Sequence, residues 1–247
     1  MIPPRPERTS DQPTWLASAD TADGWLAAPM RGERNAVRWR RALAGDFAEL
    51  AHLADALEPD ADRVPLDDGQ LADLRGRASA AGRLAIDAVL ADLALLREHG
   101  HAPTFELLRR YERDADPDLP VDVHSFHVDT ANVPTETILC TYHGDPSEVL
   151  PRALATRRVD EPALRARLRQ RFVATGEADD EAAFAAWLLE NAFALHYAPL
   201  PGAEPFACGR GELWRLAVDH PGSATVACIH RAPPHRADAG PRLLLIS

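Results

Sequence analysis

The sequence predicts an α+β protein in which a helical first half packs against a β-rich second half. Two observations carry that reading. Up to about residue 113 the apolar residues recur at three- and four-residue steps, the mark of amphipathic helices. From about residue 120 they fall in short runs rich in Val, Ile, Thr and aromatics, bounded by Gly, Pro and Asp, the mark of strands. A third observation, 46% hydrophobic residues in a chain of 247, provides enough apolar mass for a core in one large or two small domains. The strands are then expected to form a sandwich or barrel.

The elements follow in order. Residues 1–30 are rich in Pro, Asp, Ser and Thr with isolated Trp15 and Trp25, which predicts a loosely structured arm whose tryptophans pack onto the body. Residues 31–115 form the helical region. Trp39, Leu43, Phe47, Leu50, Leu53 and Leu57 predict one helix from about Asn35 to Leu57. Beyond a turn at Glu58–Asp62, Leu71, Leu74, Ile86, Val89, Leu93 and Leu96 predict a second from about Asp68 to His99, bent or split at Gly82 and closed by Gly100 as its cap. A third is expected over Thr104–Arg113, before the breaker Asp114–Pro120. Residues 116–247 form the β-rich region, with strands over Val121–Val128, Thr135–Tyr142, Glu212–Val218, Ala224–His230 and Pro241–Ser247. Two helices, about Glu161–Thr175 and Asp180–His196, interrupt it; the second takes Phe184, Trp187, Leu188, Phe193 and Leu195 as its apolar set. They read as an insertion at about 160–197, and residues 31–247 read as one structural domain.

Composition narrows the function. With 38 acidic against 27 basic residues the net charge is -11, which argues against nucleic-acid or anionic-membrane partners and for a small molecule or a protein. All 27 basic residues are arginine. That excludes lysine Schiff-base chemistry and a phosphate-binding loop built on lysine, so any fixed positive charge in a site is a guanidinium, suited to gripping carboxylates. The start of the chain lacks an apolar signal core and no run approaches roughly 18 apolar residues, so a soluble cytoplasmic protein is expected. Cys140, Cys208 and Cys228 are too few and too dispersed for a disulfide framework or a paired-cysteine zinc site. No GxSxG, HExxH or GxGxxG pattern occurs.

The chemistry concentrates at His127-Val-Asp129, at a predicted strand end. Side chains two apart on a strand share a face, so imidazole and carboxylate converge on one metal ion. A second HxD, His143-Gly-Asp145, falls in a predicted turn. What favours the first is His230, delivered at the end of another strand, with Arg242 opening the last one. Two histidines and a carboxylate with open positions form the facial triad of non-haem Fe(II) oxygenases, and an arginine can hold a dicarboxylate by a bidentate fork. Arg231 and Arg236 rival Arg242; Arg231 is expected to point away from His230. Cys228 shares parity with His230 as core or soft ligand, and Tyr142 is a hydrogen-bond donor to a bound carboxylate or a buried core tyrosine. His124 faces away from His127 on a regular strand. His143, His196, His220 and His235, near turns or element ends, read as surface residues, any one of which could complete a four-ligand site.

The order HxD, distal His, then Arg on the closing strand, after a helical region, resembles the Fe(II)/2-oxoglutarate oxygenase superfamily. That resemblance implies a double-stranded β-helix of jelly-roll, cupin-like type; His127, Asp129 and His230 as Fe(II) ligands; and Arg242 with Tyr142 as 2-oxoglutarate contacts. His127-Val-Asp129, Leu139-Cys-Thr-Tyr142-His-Gly144, Gly211-Glu-Leu-Trp214, His230-Arg-Ala-Pro-Pro234 and Arg242-Leu-Leu-Leu together resemble the bacterial domain of unknown function 1826 family, over about residues 120–247. The chain departs from that family after Gly144, at Asp145-Pro-Ser-Glu-Val, and in its longer helical stretch. The family has no assigned reaction, and its association with zinc-homeostasis genes makes a zinc-binding accessory or sensor protein the alternative.

Overall fold

A computed structural model describes residues 13–111, 122–191, 196–234, 236 and 239–247. The breaker Asp114–Pro120, Val121, Phe193, Leu195 and His235 lie outside the described residues.

The expected arm is, from residue 13, part of the fold. Strand β1 (Leu16–Ala19) and helix α1 (Ala22–Ala27) precede β2 (Ala36–Trp39), and β1 pairs in parallel with β2. Trp25 is fully buried. The single helix expected from Asn35 to Leu57 is instead β2 followed by α2 (Phe47–Asp55). Helix formation waits for Asp46, whose side chain accepts from the Glu49 amide and caps the first turn. Upstream of that cap, the Ala-Val-Arg-Trp stretch gains ladder partners on both edges and is a strand.

After β3 (Arg63–Pro65), the long second helix divides into α3 (Asp68–Arg77) and α4 (Ala80–Glu98). The break lies at Ala78–Ser79, not at Gly82: Ser79 is the N-cap of α4, and its hydroxyl accepts from the Gly82 amide. Gly100 does close α4, in the left-handed region at φ +82°. The third expected helix is β4 (Thr104–Leu108). It lies between two other strands and is covered on both faces, so its apolar run has no alternation to read.

The second half adds β5 (Glu136–His143), β6 (Glu148–Val149), β7 (Ala155–Arg157), α5 (Pro162–Ala174), α6 (Glu181–Asn191), β8 (Tyr197–Pro199), β9 (Phe206–Ala207), β10 (Leu213–Ala217), β11 (His230–Arg231) and β12 (Arg242–Ile246). A seven-stranded sheet runs β1-β2-β10-β5-β12-β4-β3, a smaller one β11-β6-β9, and a ribbon β7-β8. Among the described residues these are three separate sheets and do not close into a barrel. Two expected strands shrink: 122–128 contributes only the isolated bridges Phe126–Tyr197 and His127–His230, and 224–230 reaches strand form only at its end, as β11.

The large sheet is apolar on both faces. Ile138 and Cys140 from β5, with Leu243 and Leu245 from β12, face the helices and pack with Leu50, Ile86, Val89 and Leu93. Alternate residues face the small sheet, where Leu139, Trp214 and Leu216 pack with Val149, Cys208 and Cys228. The helix layer therefore lies on one face, and of the predicted site residues His127, Asp129, His230 and Arg242 collect on the other, while Tyr142 does not. The expected insertion is a helical hairpin with its own cluster of Leu164, Leu168, Phe172, Phe184 and Leu188. Among the described residues, no helix is long and apolar enough to cross a membrane.

Candidate metal centre

His127 and His230 are bridge partners: each backbone amide donates to the other's carbonyl, at 3.0 and 2.9 Å. Directly opposite residues point their side chains the same way, and the two rings lie 4.7 Å apart between centroids. Asp129, two residues from His127, shares its face. Its Oδ1 lies 3.7 Å from His127 Nε2 and its Oδ2 3.4 Å from His230 Nε2. One ligand atom from each of the three residues falls within 4.8 Å of the others, so the predicted triad converges.

Backbone contacts fix which atoms face inward. His127 Nδ1 donates to the carbonyl of Ser125 at 2.7 Å, and His230 Nδ1 to that of Cys228 at 3.2 Å. A carbonyl can only accept, so each Nδ1 carries a hydrogen and each Nε2 faces the cluster, where in the neutral ring it presents a lone pair. The Thr137 hydroxyl, on β5, donates to Asp129 Oδ2 and orients the carboxylate. Burial, then the neighbouring His230, pulls the His127 pKa below the usual imidazole value. Burial alone would raise the Asp129 pKa, but His230, the Thr137 hydroxyl and His127 together outweigh it and hold the carboxyl below its usual range. Neutral His127 and ionised Asp129 are the states a cation requires, and two nitrogens with one oxygen suit Fe(II) or Zn(II).

Arg242 faces the same side of the large sheet. It is 6% exposed. Its Nη1 donates to Tyr111 Oη at 2.7 Å and its Nη2 to Thr141 Oγ1 and Ser147 Oγ, both at 3.2 Å. Its Nε has no protein partner, and among the described residues it forms no ion pair. A buried guanidinium held by three neutral hydroxyls retains charge for an anion. It also lines a cleft of about 730 Å³ with Arg109, Arg110, Tyr111, His124 and Arg236.

The rivals are engaged elsewhere. Arg231 pairs with Glu148 at 2.7 Å and covers the Phe126 ring, while Arg236 meets Asp145 at 3.0 Å on the surface. Tyr142 belongs to the opposite face of β5. Its hydroxyl donates to Asp92 on α4 at 2.5 Å, inside the helix-layer core, so it does not join Arg242 as a co-substrate contact. The cause is strand parity: Thr141, not Tyr142, shares a face with Thr137. Cys228 is core beside the site, and burial followed by the Asp129 carboxylate pushes its thiol upward, away from the thiolate a metal needs. His124 binds the Pro233 carbonyl and lines the cleft, and His143 is half-buried at the end of β5. His196, expected on the surface, is 1% exposed, with its ring 6.5 Å from that of His127. No local feature of the sequence marks it; its place follows from Tyr197, the bridge partner of Phe126.

A scan of protein-family models, a search of curated proteins and a search of solved structures each find no match to this chain.

Proposed function

We propose that this protein is a non-haem Fe(II)/2-oxoglutarate-dependent oxygenase-like enzyme that hydroxylates or oxidises a small molecule or a protein. The observation that carries the reading is the convergence of His127, Asp129 and His230 with both imidazoles turned Nε2-inward by their backbone contacts. Arg242 supports it. Ser147, which the guanidinium touches, stands two residues from Val149, the register partner of His230. Two residues of extended chain span about 7 Å, the scale of a short dicarboxylate reaching from the metal to the guanidinium. The large sheet facing the small one across an interior that holds the site is likewise compatible with a jelly-roll ancestry and with the domain of unknown function 1826 family.

In this reading His127, Asp129 and His230 hold the ion on one side. Fe(II) bound there supplies dioxygen activation. Thr137 keeps the Asp129 carboxylate oriented, and Leu139, Val149, Trp214 and Cys228 exclude water from the interior. Arg242, positioned by Thr141, Ser147 and Tyr111, offers its charge to the co-substrate carboxylate. A cytoplasmic setting belongs to the same proposal.

The test is Fe(II)-dependent conversion of 2-oxoglutarate to succinate by the full chain. Measurable turnover is expected, with Arg242→Leu weakening 2-oxoglutarate affinity about tenfold or more, since a charged hydrogen bond contributes about 1.5–3 kcal/mol. No turnover, together with stoichiometric zinc in protein prepared without tag or chelator, favours a zinc-binding accessory or sensor protein at the same three residues. The observation behind that second reading is the donor set, which suits zinc equally.

A further inference from the structure

Resting on the metal-centre reading, we propose that His196 belongs to this site: it does not ligate the ion, but donates a hydrogen bond to a small anion or oxygen ligand on the ion's open side. Phe126 and Tyr197 are antiparallel bridge partners, joined by the Tyr197 amide to the Phe126 carbonyl at 2.7 Å. Their neighbours His127 and His196 therefore stand opposite each other on the other side of the pairing. His127 is in turn the partner of His230. Three imidazoles thus form one row across three chain segments, with centroid spacings of 4.7 and 6.5 Å. Phe126, Val128, Tyr197 and Ile229 turn the other way into an apolar cluster of their own, so His196 is on the metal side.

Distance separates a ligand from a neighbour. With a metal–nitrogen bond of about 2.1 Å, two ligating rings can be at most roughly 6.5 Å apart, and then only on opposite sides of the ion. His196 is at that limit from His127 and falls outside the cluster within 4.8 Å. A ligand atom about 2 Å out from an ion held there, on the side toward His196, would narrow that gap toward hydrogen-bond range, which is the role proposed for the ring. The ring is 1% exposed, and its residue is anchored by the Arg158 amide, which donates to the His196 carbonyl at 2.8 Å. Because neutral imidazole always carries one N–H, the role needs no protonation step.

The experiment loads the full chain with Co(II), follows its visible spectrum, and titrates azide as the probe of the open position. His196→Ala is expected to leave Co(II) affinity within about threefold and its spectrum unchanged, while azide affinity falls about tenfold or more, the loss of one charged hydrogen bond. His196→Gln and His196→Asn, which keep an N–H donor, test the same role if the alanine variant melts early; at least one should restore azide affinity to within about threefold. Azide affinity unchanged in all three variants overturns the proposal. So does a tenfold loss of Co(II) affinity with a changed spectrum, which would make His196 a ligand. A wild-type chain that takes up no Co(II) overturns the metal centre itself, an outcome distinct from either.

Discussion

At the scale of single residues, two carboxylates have opposite tasks, the half-buried Asp129 and the buried Asp92. Asp129 has one hydroxyl donor and two imidazole nitrogens around it, a set that could hold a cation. Asp129→Ala should therefore reduce bound metal, measured by elemental analysis, to background; retained stoichiometric metal would move the site elsewhere. Asp92 is already satisfied: Arg41 grips it at 2.6 and 2.5 Å, and the Tyr142 hydroxyl adds a third contact. Removing one member of such a buried pair leaves the other uncompensated, so Asp92→Ala should cost about 3–5 kcal/mol in a denaturant titration. Tyr142→Phe removes one hydrogen bond to a charged group, about 1.5–3 kcal/mol, and should leave metal and 2-oxoglutarate binding intact. If that variant instead lost co-substrate affinity at unchanged stability, the parity argument placing Tyr142 behind the sheet would fail.

At the scale of elements, the legible features were those carried by local chemistry. The HxD spacing and the distal histidine depend on the two-residue period of extended chain, and those three side chains converge, while the arginine opens β12 and is buried. The strands β5, β10 and β12 were readable because turn residues bound them. What failed depended on distant partners. Trp39 fits the helical period that Phe47 continues into α2, but it lies in β2, because β1 and β10 offer that stretch ladder bonds. Phe105 to Leu108 look helical only without knowledge that β3 and β12 flank them. His196 was missed because its importance comes from a pairing across about 70 residues. One turn now acquires a testable role. Gly144 has φ +81°, and a Cβ there would lie 2.8 Å from the Pro241 carbonyl and 2.9 Å from Arg242 Cγ. Gly144→Ala should destabilise the fold by about 1–3 kcal/mol and displace Arg242, lowering 2-oxoglutarate affinity while metal affinity stays within about twofold. Equal losses of both would mean that the turn supports the whole site and not its arginine.

At the scale of the whole molecule, the ion would join parts of the chain that hydrogen bonds hold together sparsely. His127 and Asp129 lie in a segment with isolated bridges only, and His230 opens a strand of two residues about a hundred positions later. The two-residue strand β11 belongs to the small sheet, whereas Thr137, which orients Asp129, belongs to the large one. A cation bound by all three ligands would thus fasten the segment carrying His127 and Asp129 to the small sheet and, through the Thr137 hydroxyl on Asp129, to the large one. Anything that binds the native state alone stabilises it by RT ln(1 + [L]/Kd), about 2.7 kcal/mol at a hundredfold excess over Kd. For a chain of 150–250 residues each kcal/mol shifts Tm by roughly 2–4 °C, so chelation should lower Tm by about 5–10 °C. Calorimetry of metal-loaded and chelated protein checks this, with Asp129→Ala expected to melt like the chelated wild type whether or not metal is added. Wild type that melts at the same temperature in both states would show that the two sheets hold together without the ion. The convergence of the three ligands would then be a property of side-chain packing and not of a metal centre.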